Sequence, residues 1–391
     1  MLWLIICAVV IAAALAGTIY LTVCLGRFGF IKALAGERKG LKYLLSLVVL
    51  AAIFTLASYA ISVVNAIIIF LHAAAFFLIF DLAAAVASRI WGKAASERTG
   101  RSGRPDEPDK PDEPGRLKGW LERFDRLKGW LAIGVTVIYL VIGYYQDVHV
   151  WQTDYSLQTD KDLHLRIALI ADSHIGTTFD GDGFAAHMKT IEAQKPDLLV
   201  VAGDFVDDAS KKEDMLKACQ ALGSMDLRYG VWYANGNHDK GYFNDRDFTY
   251  AELEKALTDQ GVHVLADSWE LVDNSFYVAG RQDLTFGSRK SIDELLEGVD
   301  TDKYIIVINH IPNDYDNEAA SAADLVLSGH THGGQVLPIK YTDRLFGIDD
   351  RVYGHEKRDG TDFIVTSGIS NWELVFKTGT RSEYVIIDVE G

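Results

Sequence analysis

The 391-residue sequence predicts an all-α membrane region followed by an α/β domain. Three observations carry that expectation. The first 88 residues hold long uncharged apolar runs, the chain beyond Leu165 alternates short apolar runs with helical stretches, and the charge changes sign between the two parts. Residues 1–145 hold 16 Lys and Arg against 10 Asp and Glu, whereas residues 146–391 hold 22 against 44. The acidic second part argues against a nucleic-acid partner, because phosphate backbones are bound mainly through clustered Lys and Arg. Cys7, Cys24 and Cys219 are few and scattered, so neither a disulfide framework nor a thiolate metal site is expected.

The membrane elements follow from length. Leu2 to Leu25 is an uncharged run of 24 residues, enough to cross the hydrocarbon core as one helix. It lacks the basic start and the cleavage site of a secretory signal, so it reads as a retained span. Tyr43 to Phe80 is a charge-free run of 38 residues, nearly twice a span, and reads as two helices turning near Ser62–Asn65. Trp130 to Tyr145 is short but flanked by Trp120, Trp151 and its own Tyr144, as suits membrane interfaces. The expected division is three spans in 1–88, a basic Pro/Gly-rich linker at 89–129, a fourth span at 130–146 and a soluble domain at 147–391.

Orientation follows from the short basic segments. The loop 26–42 holds Arg27, Lys32, Arg38, Lys39 and Lys42, and residues 89–129 hold 11 Lys and Arg. Basic loops stay on the cytoplasmic side. Span four then leaves the cytoplasm and places the soluble domain on the outer face of the cell membrane. Asn65, His72 and Asp81 are polar groups inside the spans; a turn residue, a helix–helix hydrogen bond and an interfacial residue account for them without a transport path. The Pro-rich start of the linker is expected to be disordered. Its RLKGW repeat reads as a basic, Trp-bearing helix on the inner membrane surface.

In the soluble part each apolar run ends in a polar motif. LRIALIADSH runs into Asp172 and His174, PDLLVVAGDFVDD into Asp204 and Asp207, and YGVWYANGNHD into Asn237, His238 and Asp239. KYIIVINHIP runs into His310, and ADLVLSGHTHGGQ into His330 and His332. Near-continuous apolar strands alternating with helices at 184–194 and 212–223 argue α/β architecture. Groups at the carboxyl ends of such strands meet at one rim of the sheet. Asp172, His174, Asp204, Asn237, His310, His330 and His332 are too many ligands for one ion and suit two. Carboxylate, imidazole and amide together favour Mn, Fe, Zn or Ni over calcium. A carboxylate can bridge two ions about 3.5–4 Å apart, the spacing of two-metal hydrolytic sites. Gly329, Gly333 and Gly334 let the backbone turn sharply beside the two histidines.

At these residues the chain resembles the calcineurin-like metallophosphoesterases, whose signature is D-x-H, G-D-x-x-D, G-N-H-[DE], a single His, then G-H-x-H. The matches are Asp172–His174, Gly203–Asp207, Gly236–Asp239, His310 and Gly329–His332, in order. The GHTHGGQ ending is similar to that of a membrane-associated bacterial branch that includes enzymes resembling UDP-2,3-diacylglucosamine hydrolase. That branch carries an arginine-bearing glycine turn near its end, where this chain reads SGISNWELVFKTGTRSEY. The resemblance implies a β-sandwich flanked by helices and two divalent ions, manganese favoured. It assigns one ion to Asp172, His174, Asp204 and His332. The second falls to Asp204, Asn237, His310 and His330, with Asp204 bridging.

The expected activity is hydrolysis of a phosphodiester, phosphomonoester or pyrophosphate by metal-activated water. The substrate is then a phosphoester, lipid-linked or from the envelope, and the bilayer is a partner. His238 is next to a ligand and not needed as one; it is placed to donate to the phosphoryl group or the leaving oxygen. Asp207 and Asp239 are expected to orient the ligands. His149, His164, His187, His263 and His355 match no motif and read as structural or surface residues. Asp180 and Asp182 read as a plain turn. The rival reading, an inactive sensor or scaffold on the same fold, would be marked by a missing ligand, and none is missing.

Overall fold

The structure, a computed structural model, describes residues 2–99, 113–243, 246–337, 341 and 347–391. It divides into two compact units, Met1–Val141 and Ile142–Gly391.

The first unit is helical. It holds α1 (Leu2–Leu25), the short α2 (Gly29–Ala35), α3 (Lys39–Ala60), α4 (Val63–Thr99) and most of α5 (Glu113–Val148). Four segments are long and apolar enough to cross a membrane: Ala8–Leu25, Lys39–Ala60, Val63–Ile90 and Leu127–Val148. The break between the second and third falls at Ile61–Ser62. There Ser62 Oγ accepts from the Asn65 backbone N–H at 3.1 Å and from Asn65 Nδ2 at 2.9 Å. Asn65 is thus a turn residue. His72 Nδ1 lies 2.8 Å from the Ile68 carbonyl oxygen on its own helix. Asp81 is ion-paired with Arg27 and Lys128. Residues 100–112, within the Pro-rich segment expected to be disordered, lie outside the described residues. The RLKGW repeat that follows lies on α5, in one continuous helix with the fourth apolar segment.

The second unit is a four-layer sandwich. Its strands are β1 (Trp151–Gln158), β2 (His164–Ile170), β3 (Leu198–Ala202), β4 (Val231–Ala234), β5 (His263–Leu265) and β6 (Ser268–Val272). They continue with β7 (Phe276–Gly280), β8 (Tyr304–Ile308), β9 (Leu325–Ser328), β10 (Gly354–Arg358), β11 (Thr361–Val365) and β12 (Glu383–Glu390). Helices α6 (Gly181–Glu192), α7 (Lys212–Gly223), α8 (Tyr250–Asp259), α9 (Ile292–Leu295) and α10 (Tyr315–Ala320) intervene. One sheet has the order β1-β12-β2-β3-β4-β5 and the other β10-β11-β9-β8-β7-β6. In the first, β2, β3, β4 and β5 run parallel; in the second, β11, β9, β8 and β7 do.

Strand alternation builds three apolar layers, because successive side chains leave opposite faces. Leu165, Ile167 and Leu169 of β2 join Tyr304, Ile306 and Ile308 of β8 between the two sheets. Ala168 and Ile170 of β2 face the other way, into a layer with Phe184 and Met188 of α6 and Met215 of α7. Ile305 and Val307 of β8 likewise meet Leu295 and Tyr315. Both faces of each central strand are therefore dry, which is why these runs are apolar throughout instead of alternating. Each fully buried aliphatic side chain in such a layer contributes about 1.5–3 kcal/mol.

Asp180 is more than a turn residue: its carboxylate caps α6 by accepting from the Gly183 N–H at 2.8 Å. The last turn of α5 belongs to this second unit. Its Gly143 carbonyl accepts from the Lys377 N–H at 3.0 Å, and its Gln146 carbonyl from the Ser382 N–H at 2.9 Å.

Candidate metal centre

Five parallel strands end at one rim of the sandwich. β2, β3 and β4 are neighbours in one sheet, β8 and β9 in the other. Just past their carboxyl ends lie Asp172 and His174, Asp204, Asn237 and His238, then His310, then His330 and His332. All eight residues that the sequence singled out are thereby brought to the same rim.

Two groupings there suit a cation. Asp172, His174 and His332 form one, and Asp204, His310 and His330 the other; within each, one ligand atom per residue lies within 4.8 Å of the others. The rings of His174 and His332 stack at 5.2 Å, and those of His310 and His330 meet edge-on at 5.2 Å. Adjacent histidines in GHTH therefore serve different groupings. Asp204 lies between them: its Oδ2 is 3.1 Å from His310 Nε2 and 3.8 Å from His174 Nε2. A third grouping joins His174 to Asp207 and His238.

The surrounding bonds aim these atoms. The Nδ1 of His310 donates to the Ala202 carbonyl at 2.7 Å, which turns Nε2 toward Asp204 and Asn237. Asn237 donates through Nδ2 to the Tyr242 hydroxyl at 2.8 Å, leaving Oδ1 3.2 Å from His310 Nε2. Asp172 accepts from the His330 N–H at 2.9 Å, and Asp204 from the His238 N–H at 2.8 Å. Asp239 ties two loops together. One of its oxygens accepts from Phe205 and Val206 N–H groups, and the other accepts from Gly236 N–H.

The backbone is strained here. Asp172, His174, Asp204, His330 and His332 all have positive φ, between 36° and 72°. Non-glycine residues in that region cost about 1–3 kcal/mol each and persist only where the surroundings over-determine them. Gly203 shows why glycine precedes Asp204. Its φ is +78°, and a Cβ there would lie 2.6 Å from His310 Nδ1.

Burial and mutual charge set the protonation of the cluster. Burial raises the Asp172 carboxyl, opposed by the facing charge of His310. Burial would raise Asp204 as well, but the charge and hydrogen bond of His310, with His174 and His238, hold it well below the usual carboxylate range. Burial also works against charge on His310, yet Asp204 brings it up to about 10. Burial and the His310 charge push His330 down to about 3, and burial and His174 push His332 well down. Neutral imidazole is the form that ligates a metal, so an ion bound beside Asp204 would have to displace the proton that Asp204 favours on His310.

The donor set passes a direct test of fit. The Nε2 of His174 and the Nδ1 of His332 are buried with no hydrogen-bond partner among the described residues, and the Nδ1 of His174 reaches only Asp207 Oδ2, at 3.5 Å. Such groups cost about 1–3 kcal/mol each unless something satisfies them. Buried carboxylates, imidazoles and an amide oxygen converging on one spot suit a borderline divalent ion.

His238 stands slightly apart. Its Nδ1 is 3.2 Å from Asp207 Oδ1, its ring is 5.0 Å from Tyr242, and Trp372 is 5.1 Å away. Tyr242 and Trp372 are contacts that the sequence motifs do not announce. Nor do they announce Lys377, which is fully buried and donates through Nζ to the Ser367 carbonyl at 2.8 Å. Gly368, next in the chain, packs on Asp172 closely enough that a Cβ would lie 2.7 Å from the Asp172 Cβ. Trp372 and Lys377 both lie in the segment SGISNWELVFKTGTRSEY, beyond the last of the recognised motifs. One signal was available, since TDFIVTSGIS repeats the pattern of an apolar run breaking into polar residues.

A layered sandwich with acid–imidazole clusters at the ends of parallel strands defines a metal-dependent hydrolase. Residues 165–334 match the calcineurin-like phosphoesterase family. An uncharacterized metallophosphoesterase of Aquifex aeolicus is 32% identical over 246 residues, covering 61% of this chain and 90% of that protein. A Campylobacter jejuni metallophosphoesterase is 28% identical, covering 58% of this chain and 59% of its own length. A transmembrane protein with metallophosphoesterase domain from Danio rerio is 29% identical, covering 56% and 52%. The chain thus spans only about half to three-fifths of the latter two. The chain belongs to the calcineurin-like metallophosphoesterase family and is a metal-dependent phosphoric ester hydrolase.

Proposed function

We propose that this protein is a multi-pass membrane phosphoesterase with a dinuclear centre, acting on a phosphoester at the outer face of the bilayer. The observation that carries the dinuclear reading is the position of Asp204 Oδ2, within 3.8 Å of a histidine from each grouping. In this reading one ion is held by Asp172, His174, Asp204 and His332. The other is held by Asp204, Asn237, His310 and His330. Two such ions supply Lewis acidity to the phosphoryl oxygens and an activated water near neutral pH. The chain's own part is orientation and proton handling. Asp207 holds His238 through Nδ1, so the ring can donate from Nε2 to the phosphoryl group or the leaving oxygen. Tyr242 and His310 hold the Asn237 amide in one orientation.

Membrane anchoring is supported by the four apolar helices and by the short step from α5 to β1, Val148 to Trp151. A catalytic unit tied this closely to a span favours a lipid-linked or envelope phosphoester. Manganese is the ion we favour. The full chain, purified in detergent, is expected to carry about two divalent ions and to hydrolyse bis(p-nitrophenyl) phosphate or p-nitrophenyl phosphate. Chelation should abolish the activity and added Mn restore it. Elemental analysis finding no transition metal, with no activation by Mn, would overturn the reading.

Orientation has its own test. A reporter fused after Gly391 should be active outside the cytoplasm, and one inserted near Pro108 inside it. The reverse pair of results would place the catalytic unit in the cytoplasm.

A further inference from the structure

We infer that the membrane unit carries a site for an anionic phospholipid headgroup, one whose phosphate is not offset by a cation of its own, separate from the metal centre. This rests on the four apolar helices lying in a bilayer and is independent of hydrolysis. A cavity of about 390 Å³ lies within this unit, lined by residues that include Arg27, Lys32, Asp81, Lys128, Phe28 and Trp130. That volume is in the range of small-molecule pockets, roughly 300–1,000 Å³.

The charge balance in the cavity is uneven. Arg27, Lys32 and Lys128 are cationic, and Asp81 is the one acid among the described residues lining it. Asp81 is already saturated. Its oxygens accept from Arg27 Nη1 at 2.8 and 3.0 Å and from the Tyr20 hydroxyl at 2.7 Å, and Lys128 Nζ lies at 2.8 Å. One carboxylate therefore holds two cations in place while a third lines the same cavity, so among the described lining residues three cations stand against one acid. Arg27 spends only Nη1 on Asp81 in these bonds, and its side chain is 46% exposed. A guanidinium fixed at one end and open at the other is well placed to take a phosphate oxygen.

Position and lining point to a lipid. Arg27 follows the first apolar segment by two residues, and Lys128 is the second residue of the fourth, so both sit at span ends where headgroups lie. Four aromatics, Phe28, Phe77, Phe80 and Trp130, line the rest of the wall together with Cys24, Gly29 and Gly129. Phe28 meets Trp130 edge-on at 4.9 Å and Phe77 at 6.4 Å, and Gly129 packs directly on the Phe28 ring. A cationic floor beside an apolar wall matches a phosphate with its glycerol and acyl chains attached, and basic pockets between spans are known headgroup sites. A free phosphate would use the cations and leave the aromatic wall unused.

Native mass spectrometry of the full chain in neutral detergent, titrated with phosphatidylglycerol, tests this. Phosphatidylglycerol should bind with a stoichiometry near one at low concentration, and phosphatidylcholine markedly more weakly. Lys32→Gln leaves every Asp81 ion pair intact and should weaken phosphatidylglycerol about fivefold, the scale for one interfacial lysine, without lowering Tm. Lys128→Gln should do the same while Arg27 still pairs with Asp81. Equal binding of the two lipids, or unchanged affinity in both variants, would overturn the proposal. Displacement of the lipid by inorganic phosphate at matching concentration would also overturn it, in favour of a soluble-anion site.

Discussion

Asp204→Asn should lose bound metal and phosphoesterase activity together, and by more than any other single substitution at the centre. Asparagine keeps the shape of the side chain and the acceptor for the His238 N–H, so the backbone has little cause to move. What disappears is the charge. Asp204 is fully buried and is held ionised by His310, His174 and His238. Its Oδ2 also lies 3.1 Å from a histidine of one grouping and 3.8 Å from a histidine of the other. Removing that charge weakens attraction for both ions at once. Partners one layer out from a metal are worth about 10–100-fold in affinity, and a shared ligand should exceed that. His330→Ala and His332→Ala supply the comparison, since each should weaken one ion and spare the other. Metal content and turnover measured on the same preparations decide the matter. If Asp204→Asn kept two ions per chain, Asp204 would not be the shared ligand.

His238→Ala should behave in the opposite way, with turnover falling about 10²–10⁴-fold and metal content staying near normal. The residue is buried beside the centre, yet its Nδ1 is taken by Asp207, and neither two-ion ligand set requires it. The loss should be greatest for substrates with poor leaving groups, where a donated proton matters most, and smallest for p-nitrophenyl esters. Asp207→Asn should produce a milder version of the same pattern, because it disturbs the ring's orientation but leaves the ring present. Loss of metal from His238→Ala, or full turnover on an alkyl ester, would sink the assignment. The third grouping, His174 with Asp207 and His238, is the geometry that makes this experiment worth doing.

Much of the centre was legible because each ligand follows directly from the end of an apolar run. Asp172, Asp204, Asn237, His310 and His330 all lie two or three residues beyond a buried strand. A parallel strand cannot place its terminal residues anywhere except the carboxyl rim, so local pattern was enough to bring them together. The edge strands were less legible. β1 reads WQTDYSLQ, a polar strand with only Leu157 buried, and its parallel pairing with β12 near the far end of the chain is a long-range event. Tyr242, Trp372 and Lys377 were missed for a related reason. They reach the centre from loops, and no periodicity marks a loop residue as a neighbour of a distant histidine.

The sequence by itself determined the class of this protein: four apolar segments, an α/β domain and an ordered set of metal-ligand motifs. Those properties are local, because hydrophobic length, strand alternation and motif spacing are each carried by a short stretch of chain. Strand pattern alone left open which histidine of GHTH faces which grouping, since residues two apart on a strained turn can point either way. The family resemblance implied a split, and the fold sets His332 beside Asp172 and His174 and His330 beside Asp204 and His310. It also placed the same Asp204 oxygen near both sets and seated the buried Lys377 beneath the loop that packs on Asp172. Asp81 makes the same point in the helical unit. Sequence showed a charge in an apolar run, but its cost is offset by Arg27, 54 positions away in the chain, and by Lys128, which only folding could bring beside it.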